Sequence, residues 1–214
     1  YFILFKPRDI VSGDFYWHSI QDEKLIFAAV DCTGHGVPGG FMSMLGISFL
    51  NEIVNNKKIL EPDLILNNLR ENVISALKQH GELGGSSDGM DIALIAIEPD
   101  MKTCKFAGSN NDLLLVRDGN MEVFKADRMP IGYYPSMHTF TLKEIKIQKN
   151  DRLYLYSDGY MDQIGGPDNK RIMKNNFKKL ITDSFQLPPC KQKEWLINYF
   201  EEWSMLEDQF DDVL

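Results

Sequence analysis

Apolar positions along the chain change period several times, and each change marks an element. Leu25–Val30 is a continuous apolar run, as suits a strand buried on both faces. From Pro38 to Asn56 the period is helical, with Phe41, Met44, Leu45, Phe49, Leu50 and Ile53 recurring on one side. Pro38 falls in the first turn, where a missing N–H is tolerated. A second helix is predicted over Pro62–His80, its stripe carried by Leu64, Leu66, Leu69, Val73, Ile74 and Leu77. "KQHGELGGSSDG" then reads as a loop.

Strand patterns dominate the middle of the chain. Ile92–Ile97, Thr103–Ala107, Leu113–Val116 and Met121–Phe124 are short apolar runs between turn residues. "RDGN" joins the last two as a hairpin, because Asp118-Gly119 suits a primed turn. Thr139–Ile147 and Leu153–Tyr156 are predicted strands on either side of "QKND". Asn176–Phe185 and Lys191–Leu206 read as helices, separated by Pro188–Pro189. Towards the ends, Phe2–Phe5, Phe15–Ile20 and Asp212–Leu214 read as strands, with Lys6–Gly13 a loop. Helices come in consecutive pairs and strands in meanders. That order implies antiparallel sheet with helices packed on it, rather than alternating βαβ units.

Composition narrows this picture. A chain of 214 residues, 43% hydrophobic, buries the core of one domain over residues 1–214. A net charge of −8 gives no support to nonspecific nucleic-acid binding. Cys32, Cys104 and Cys190 are odd in number and lack CxxC or zinc spacing, which favours a reducing compartment. No apolar run reaches a membrane span and no signal peptide is seen, so a cytoplasmic domain without membrane contact is expected. Both ends fall inside patterned runs, "YFILF" and "QFDDVL", so a fragment of a longer chain is expected.

Four acids stand at predicted strand ends: Asp14 in "SGDFYW", Asp31 in "AAVDCTGHG", Asp158 in "YSDGY", and the pair Asp211–Asp212. Aspartate is disfavoured inside strands, and any one of these taken alone reads more readily as a turn or cap residue. Asp118 is such a turn residue. Taken jointly, acids on converging strand ends repel and raise one another's pKa. Burying them unpaired costs several kcal/mol per ion, in order of magnitude. No basic residue adjoins them in sequence, so a divalent cation is the economical partner. All-oxygen ligands point to Mg²⁺ or Mn²⁺ rather than zinc. The glycine-rich turn before Pro38 adds a weak anion-binding feature, without the GK[ST] of a P-loop.

"PRDIVSGDFYW", "DCTGHGVPGGFMSM", "DGMDIALI", "RMPIGYY", "YSDGYMDQIGG" and "QFDDVL" occur in the order seen in the metal-dependent protein phosphatases. Along nearly its whole length the chain resembles the bacterial SpoIIE-type serine phosphatases, relatives of the eukaryotic type 2C enzymes. The resemblance implies an α+β fold, a four-layer α-β-β-α sandwich of two antiparallel sheets flanked by helices. It implies two Mn²⁺ or Mg²⁺ ions bridged by a water or hydroxide that attacks a phosphoserine or phosphothreonine. By motif, Asp31 bridges both ions and Cys32 offers its backbone carbonyl. Asp158 and Asp211 complete one metal's shell, and Asp14 binds directly or through water. Asp31 and Asp158 are the catalytic pair on this reading. Asp91 and Asp212 are candidates for supporting groups or a third metal site, and His35 and Gly36 for phosphate contacts. Arg8 does not align with the phosphate-holding arginine of the eukaryotic branch.

The resemblance further implies a phosphoprotein substrate, such as a STAS-domain anti-sigma factor antagonist. It also implies a fused N-terminal sensor or regulatory domain, with the two front helices as switching surface, and it is compatible with a homodimer. Two alternatives remain open from sequence: a catalytically silent binding module of the same fold, and a phosphohydrolase of small phosphoesters.

Overall fold

The computed structural model describes residues 1–79, 88–205 and 207–214. The first sheet is five-stranded, in the order β1-β2-β3-β4-β7, every neighbouring pair antiparallel. Its strands are β1 (Phe15–Gln21), β2 (Lys24–Cys32), β3 (Met90–Ile97), β4 (Thr103–Ser109) and β7 (Lys143–Lys146). The second is three-stranded, β6-β5-β8, from β5 (Leu113–Arg117), β6 (Asn120–Phe124) and β8 (Arg152–Tyr154). Helices α1 (Gly36–Leu50) and α2 (Pro62–Leu77) cover the first sheet. After β8 come the short α3 (Gly159–Asp162), the two-residue strands β9 (Ile164–Gly165) and β10 (Lys170–Arg171), then α4 (Lys174–Ser184) and α5 (Pro189–Ser204).

Strand alternation explains the layers. On β3, Ile92, Leu94 and Ala96 join the core under α1 and α2, while Ala93 and Ile95 join the core between the sheets. On β5, Leu113 and Leu115 enter that same central core, while Leu114 and Val116 pack with Phe177, Leu180 and Leu196 of α4 and α5. Period-2 alternation with both faces apolar is what a strand in the middle of such a sandwich requires. Phe106 and Leu113, both fully buried, fill the gap between sheets. Each such side chain contributes about 1.5–3 kcal/mol by leaving water. The result is the four-layer α-β-β-α sandwich of the α+β class.

The hairpin at "RDGN" forms as expected, with Asp118 at φ 48° and Gly119 at φ 80°. Other elements differ from the sequence pattern. Phe2–Phe5 is not a strand, and only Lys6 pairs, by a single bridge to Val213. Thr139–Ile147 shortens to Lys143–Lys146, because Phe140 and Thr141 turn their N–H groups to Asn67 and Asp127 side chains. Leu153–Tyr156 becomes Arg152–Tyr154, and Asp212–Leu214 contributes one bridge instead of a strand. β7 and β8 belong to different sheets, so "QKND" crosses between layers. The second front helix stops at Leu77, where Lys78 is left-handed at φ 51°. His80 and the loop residues to 87, and Leu206 at the end of the last predicted helix, lie outside the described residues.

One expectation about hydropathy is corrected. The helix Gly36–Asn56, α1 continued by a π-helical stretch, spans 21 residues at mean hydropathy 1.3, long and apolar enough to cross a membrane by composition. Here it lies against the first sheet, with Met42, Leu50, Ile53 and Val54 in the core beneath it.

Close approach fixes one glycine. A Cβ at Gly159 would collide with the carbonyl oxygen of Asp212. Gly159→Ala is expected to lower stability by about 1–3 kcal/mol, as overpacking does. Urea denaturation would read this as a lower midpoint, and an unchanged midpoint would contradict the packing described.

Candidate metal centre

Three acids reach one end of the first sheet by register alone. Asp31 on β2 stands directly opposite Asp91 on β3. Phe15 pairs with Val30, so Asp14 falls one step further, alongside Asp31. Phe27, two alternations back from Asp31, packs against the core between the sheets, and so do Ala93 and Ile95 after Asp91. The acids therefore share the inner face of the sheet, at its edge.

Asp158 follows β8 of the second sheet, and Asp211 lies in the C-terminal segment that runs beside it. Asp158 is the N-cap of α3, its carbonyl accepting from the N–H groups of Met161 (2.9 Å) and Asp162 (3.0 Å). The last residues are tied down beside it: Ser157 N–H donates to the Leu214 carbonyl at 3.0 Å, and Leu214 N–H to Ser157 Oγ at 3.0 Å. Buried Gln163 holds the approach to Asp211. Its Oε1 accepts from Phe210 N–H at 3.0 Å, and its Nε2 donates to the Asp208 carbonyl at 3.1 Å.

These elements enclose a cleft of about 260 Å³, lined by Asp31, Cys32, His35, Asp91, Asp158 and Asp211 among others. Asp14 is buried beside it, 4% exposed, and its Oδ2 has no hydrogen-bond partner. Burial, then repulsion from Asp14, Asp158, Asp91 and Asp211, pushes Asp31 up to about 10. Burial pushes Asp14 up to about 8, opposed by a Ser157 hydrogen bond and reinforced by Asp212, Asp211 and Asp158. Asp158 rises to about 6, from burial first and then from Asp162, Asp211 and Asp91. Asp91 is raised by burial, against the Asn110 hydrogen bond and the Arg128 charge. Among the described residues no group of three or more His, Cys, Asp or Glu side chains stands close enough together to hold a metal ion as placed. Yet an orphaned buried carboxylate oxygen amid mutually repelling, all-oxygen donors is what a divalent cation relieves, so the residues fit such an ion.

The other candidates divide. Asp212 does not line the cleft; it is 2% exposed, and its carboxylate accepts from Arg8 N–H (2.7 Å) and Gly13 N–H (2.8 Å). It joins the two ends of the chain. The Cys32 side chain lies in the core under the helices, where burial raises its thiol, so the backbone is what it can offer the cleft. His35 Nδ1 pairs with Asp9 Oδ2 at 2.8 Å on the exposed rim, and Gly36, at φ 63°, sits against the same carboxylate. Arg8 is exposed. Sequence reasoning gave no chemistry to Asn110, whose Nδ2 donates to Asp91 Oδ1 at 2.8 Å, and passed over Ser157 and Gln163. A polar residue in a turn carries no sign of which acid it will hold.

The profile of the family Stage II sporulation protein E (SpoIIE) matches residues 21–214. The chain belongs to the SpoIIE family, and its fold is that of the type 2C phosphatase domains. Among solved structures it is similar to the SiaA-PP2C domain of Pseudomonas aeruginosa, at 29% identity and TM-score 0.88, over 99% of this chain and 82% of that one. It is similar in fold to the PP2C phosphatase domain, with a fragment of the regulatory domain, of the cell fate determinant SpoIIE from Bacillus subtilis. There the identity is 18% and the TM-score 0.74, over 98% of this chain and 59% of that one. The RsbU and RsbW domains of a Mycobacterium tuberculosis protein share the fold at 17% identity and TM-score 0.69, over 96% of this chain and 54% of that one. No curated protein matches the chain significantly.

The raised acids predict a pH dependence. In the unfolded chain Asp14 and Asp31 titrate near 3.8, whereas folded they hold protons to about 8 and about 10. Between these limits the folded state binds more protons, so stability is greatest at the acid end and falls as pH rises. With chelator present, the melting temperature should drop from about pH 5 to about pH 9, and Asp14→Asn should flatten the slope. A flat wild-type profile would contradict the burial of these acids.

Proposed function

We propose that the chain hydrolyses phosphoserine or phosphothreonine in a protein, with two divalent cations, Mn²⁺ or Mg²⁺, held by its acids. The observation that carries this reading is the convergence of Asp31, Asp91, Asp158 and Asp211 on one cleft, with the orphaned Asp14 oxygen beside it. Such cations supply Lewis-acid charge neutralisation and an activated water. Asp31 would hold both, with Asp158 at the start of α3 and Asp211 in the C-terminal segment completing the shell. Asp14 offers its unpartnered oxygen, and the Cys32 backbone carbonyl adds a neutral ligand. Asn110 holds Asp91 in position, and Gln163 holds the segment bearing Asp211. The His35–Asp9 pair closes one rim, where the start of α1 favours an anion.

The domain is read as the output unit of a longer cytoplasmic protein, its partner a phosphorylated regulator of the STAS type. The RsbU and RsbW domains and the regulatory fragment named for its structural neighbours support that setting.

Phosphate release from a phosphoserine protein and from p-nitrophenyl phosphate should require Mn²⁺ and vanish with chelator. Asp158→Ala should lower the rate by about a hundredfold or more, since a lost ligand forfeits several kcal/mol of transition-state stabilisation. Full activity in chelator, or in Asp158→Ala, would overturn the proposal. Turnover of nucleotides with no phosphoprotein activity would favour the small-phosphoester alternative. A heat of Mn²⁺ binding lost in Asp158→Ala, with no turnover of any substrate, would favour the silent module.

A further inference from the structure

Just outside the cleft, three cations converge on one buried carboxylate. The Asp112 side chain is 0% exposed, and Lys174 Nζ lies 2.8 Å from it, Lys125 Nζ 3.0 Å and an Arg128 guanidinium nitrogen 3.5 Å. Ala126 N–H adds a hydrogen bond at 3.1 Å. Burial would raise this acid, but the bonds from Lys174, Ala126 and Lys125 prevail and bring it to about 2. Asp112 is therefore an anion at any physiological pH, and it cancels one positive charge of three.

The surplus is visible in a fourth residue. Lys178, one turn along α4, is held below the ordinary lysine range by burial and by repulsion from Lys125 and Lys174. Lys174 is also the first residue of α4, the end at which a helix favours acids, so its charge adds to the helix dipole. The outer faces of Lys125, Arg128 and Lys174 remain 58%, 60% and 40% exposed. One buried acid thus pins three cations in place and leaves them facing solvent with net positive charge.

This patch touches the cleft along two routes. Arg128 Nη1 donates to the Asn110 carbonyl at 2.9 Å, and Asn110 in turn holds Asp91. Met173, just before α4, donates to the Met161 carbonyl at 2.8 Å, within the helix that Asp158 caps. The chain as a whole carries −8, and the cleft itself is acidic. A partner with negative charge beside its phosphorylated residue meets repulsion over much of this surface and attraction here.

We propose that Lys125 and Lys174, with the outer edge of Arg128, form a docking surface for an acidic segment flanking the phosphorylated residue of a protein substrate. This rests on the phosphatase reading and adds a substrate preference to it.

The test compares wild type with Lys125→Gln, Lys174→Gln and the double variant. Glutamine keeps an N–H donor for Asp112, and thermal melting checks that each variant folds. The substrates are a phosphoserine peptide flanked by Asp and Glu, its Asn/Gln counterpart, and p-nitrophenyl phosphate, all with Mn²⁺. Wild type should prefer the acidic peptide in kcat/KM. Each single variant should lose about three- to fivefold on that peptide alone, the scale of one exposed charge pair. The loss should shrink with added salt, and p-nitrophenyl phosphate turnover should stay unchanged. Equal rates on the two peptides in wild type, a preference that survives in the variants, or the same loss on p-nitrophenyl phosphate would each overturn the proposal.

A second arm needs no turnover. Fluorescence anisotropy of the labelled, unphosphorylated acidic peptide should show binding to wild type that the neutral peptide lacks and that either lysine variant weakens. Wild type inactive on all three substrates would sink the phosphatase reading, and anisotropy would still decide the docking surface. If the double variant fails to fold, the single variants carry the decision.

Discussion

Like charge crowded into one cleft at the edge of the sandwich is the constraint on which this molecule turns. Asp31 and Asp91 face each other across β2 and β3, with Asp14 alongside and Asp158 and Asp211 opposite. Water disperses part of their repulsion in the open cleft, and least of it at buried Asp14. Three apolar cores hold the sheets and helices close enough to keep these acids together. Burial and mutual repulsion hold the Asp31 and Asp14 carboxyls far above the ordinary carboxylate range.

The adjacent acids Asp211 and Asp212 illustrate how position divides one chemistry into two tasks. Successive residues in extended backbone point opposite ways. Asp211 lines the cleft, while Asp212 is buried behind it and binds two backbone N–H groups from the start of the chain. The Asp211 carboxylate accepts the N–H of its neighbour Asp212 at 2.8 Å and faces the cleft, while Asp212 ties down the start of the chain. Asp112 is a third case, a buried acid saturated by cations. The same side chain therefore lines the cleft, ties down the start of the chain or is held ionised by cations according to what surrounds it.

The residues that hold the site are neutral and local in appearance. Asn110 orients Asp91 from a loop, at φ 56°, and Gln163 clamps the segment before Asp211 from the end of α3. Neither is charged, so neither adds to the repulsion. Fixing the acids without neutralising them preserves a demand for external positive charge.

The sequence by itself determined the kind and order of the elements and the identity of the cleft acids. Apolar period follows directly from whether one or both faces of an element are covered, so β3, β5 and α2 were legible, and so was the Asp118-Gly119 turn. Aspartate at the end of an apolar run is a local misfit, visible without a structure. Tertiary structure decided what depends on meetings between distant segments. Phe2–Phe5 and Asp212–Leu214 have strand composition but gain only the Lys6–Val213 bridge. The end of β7 is set by side chains of α2 and a loop, through Asn67 and Asp127. The role of Asp212 is fixed by a partner 204 residues away in the chain. Periodicity records which face of a segment is dry, but it holds no record of what lies across the gap, and that is where charge, register and close packing act.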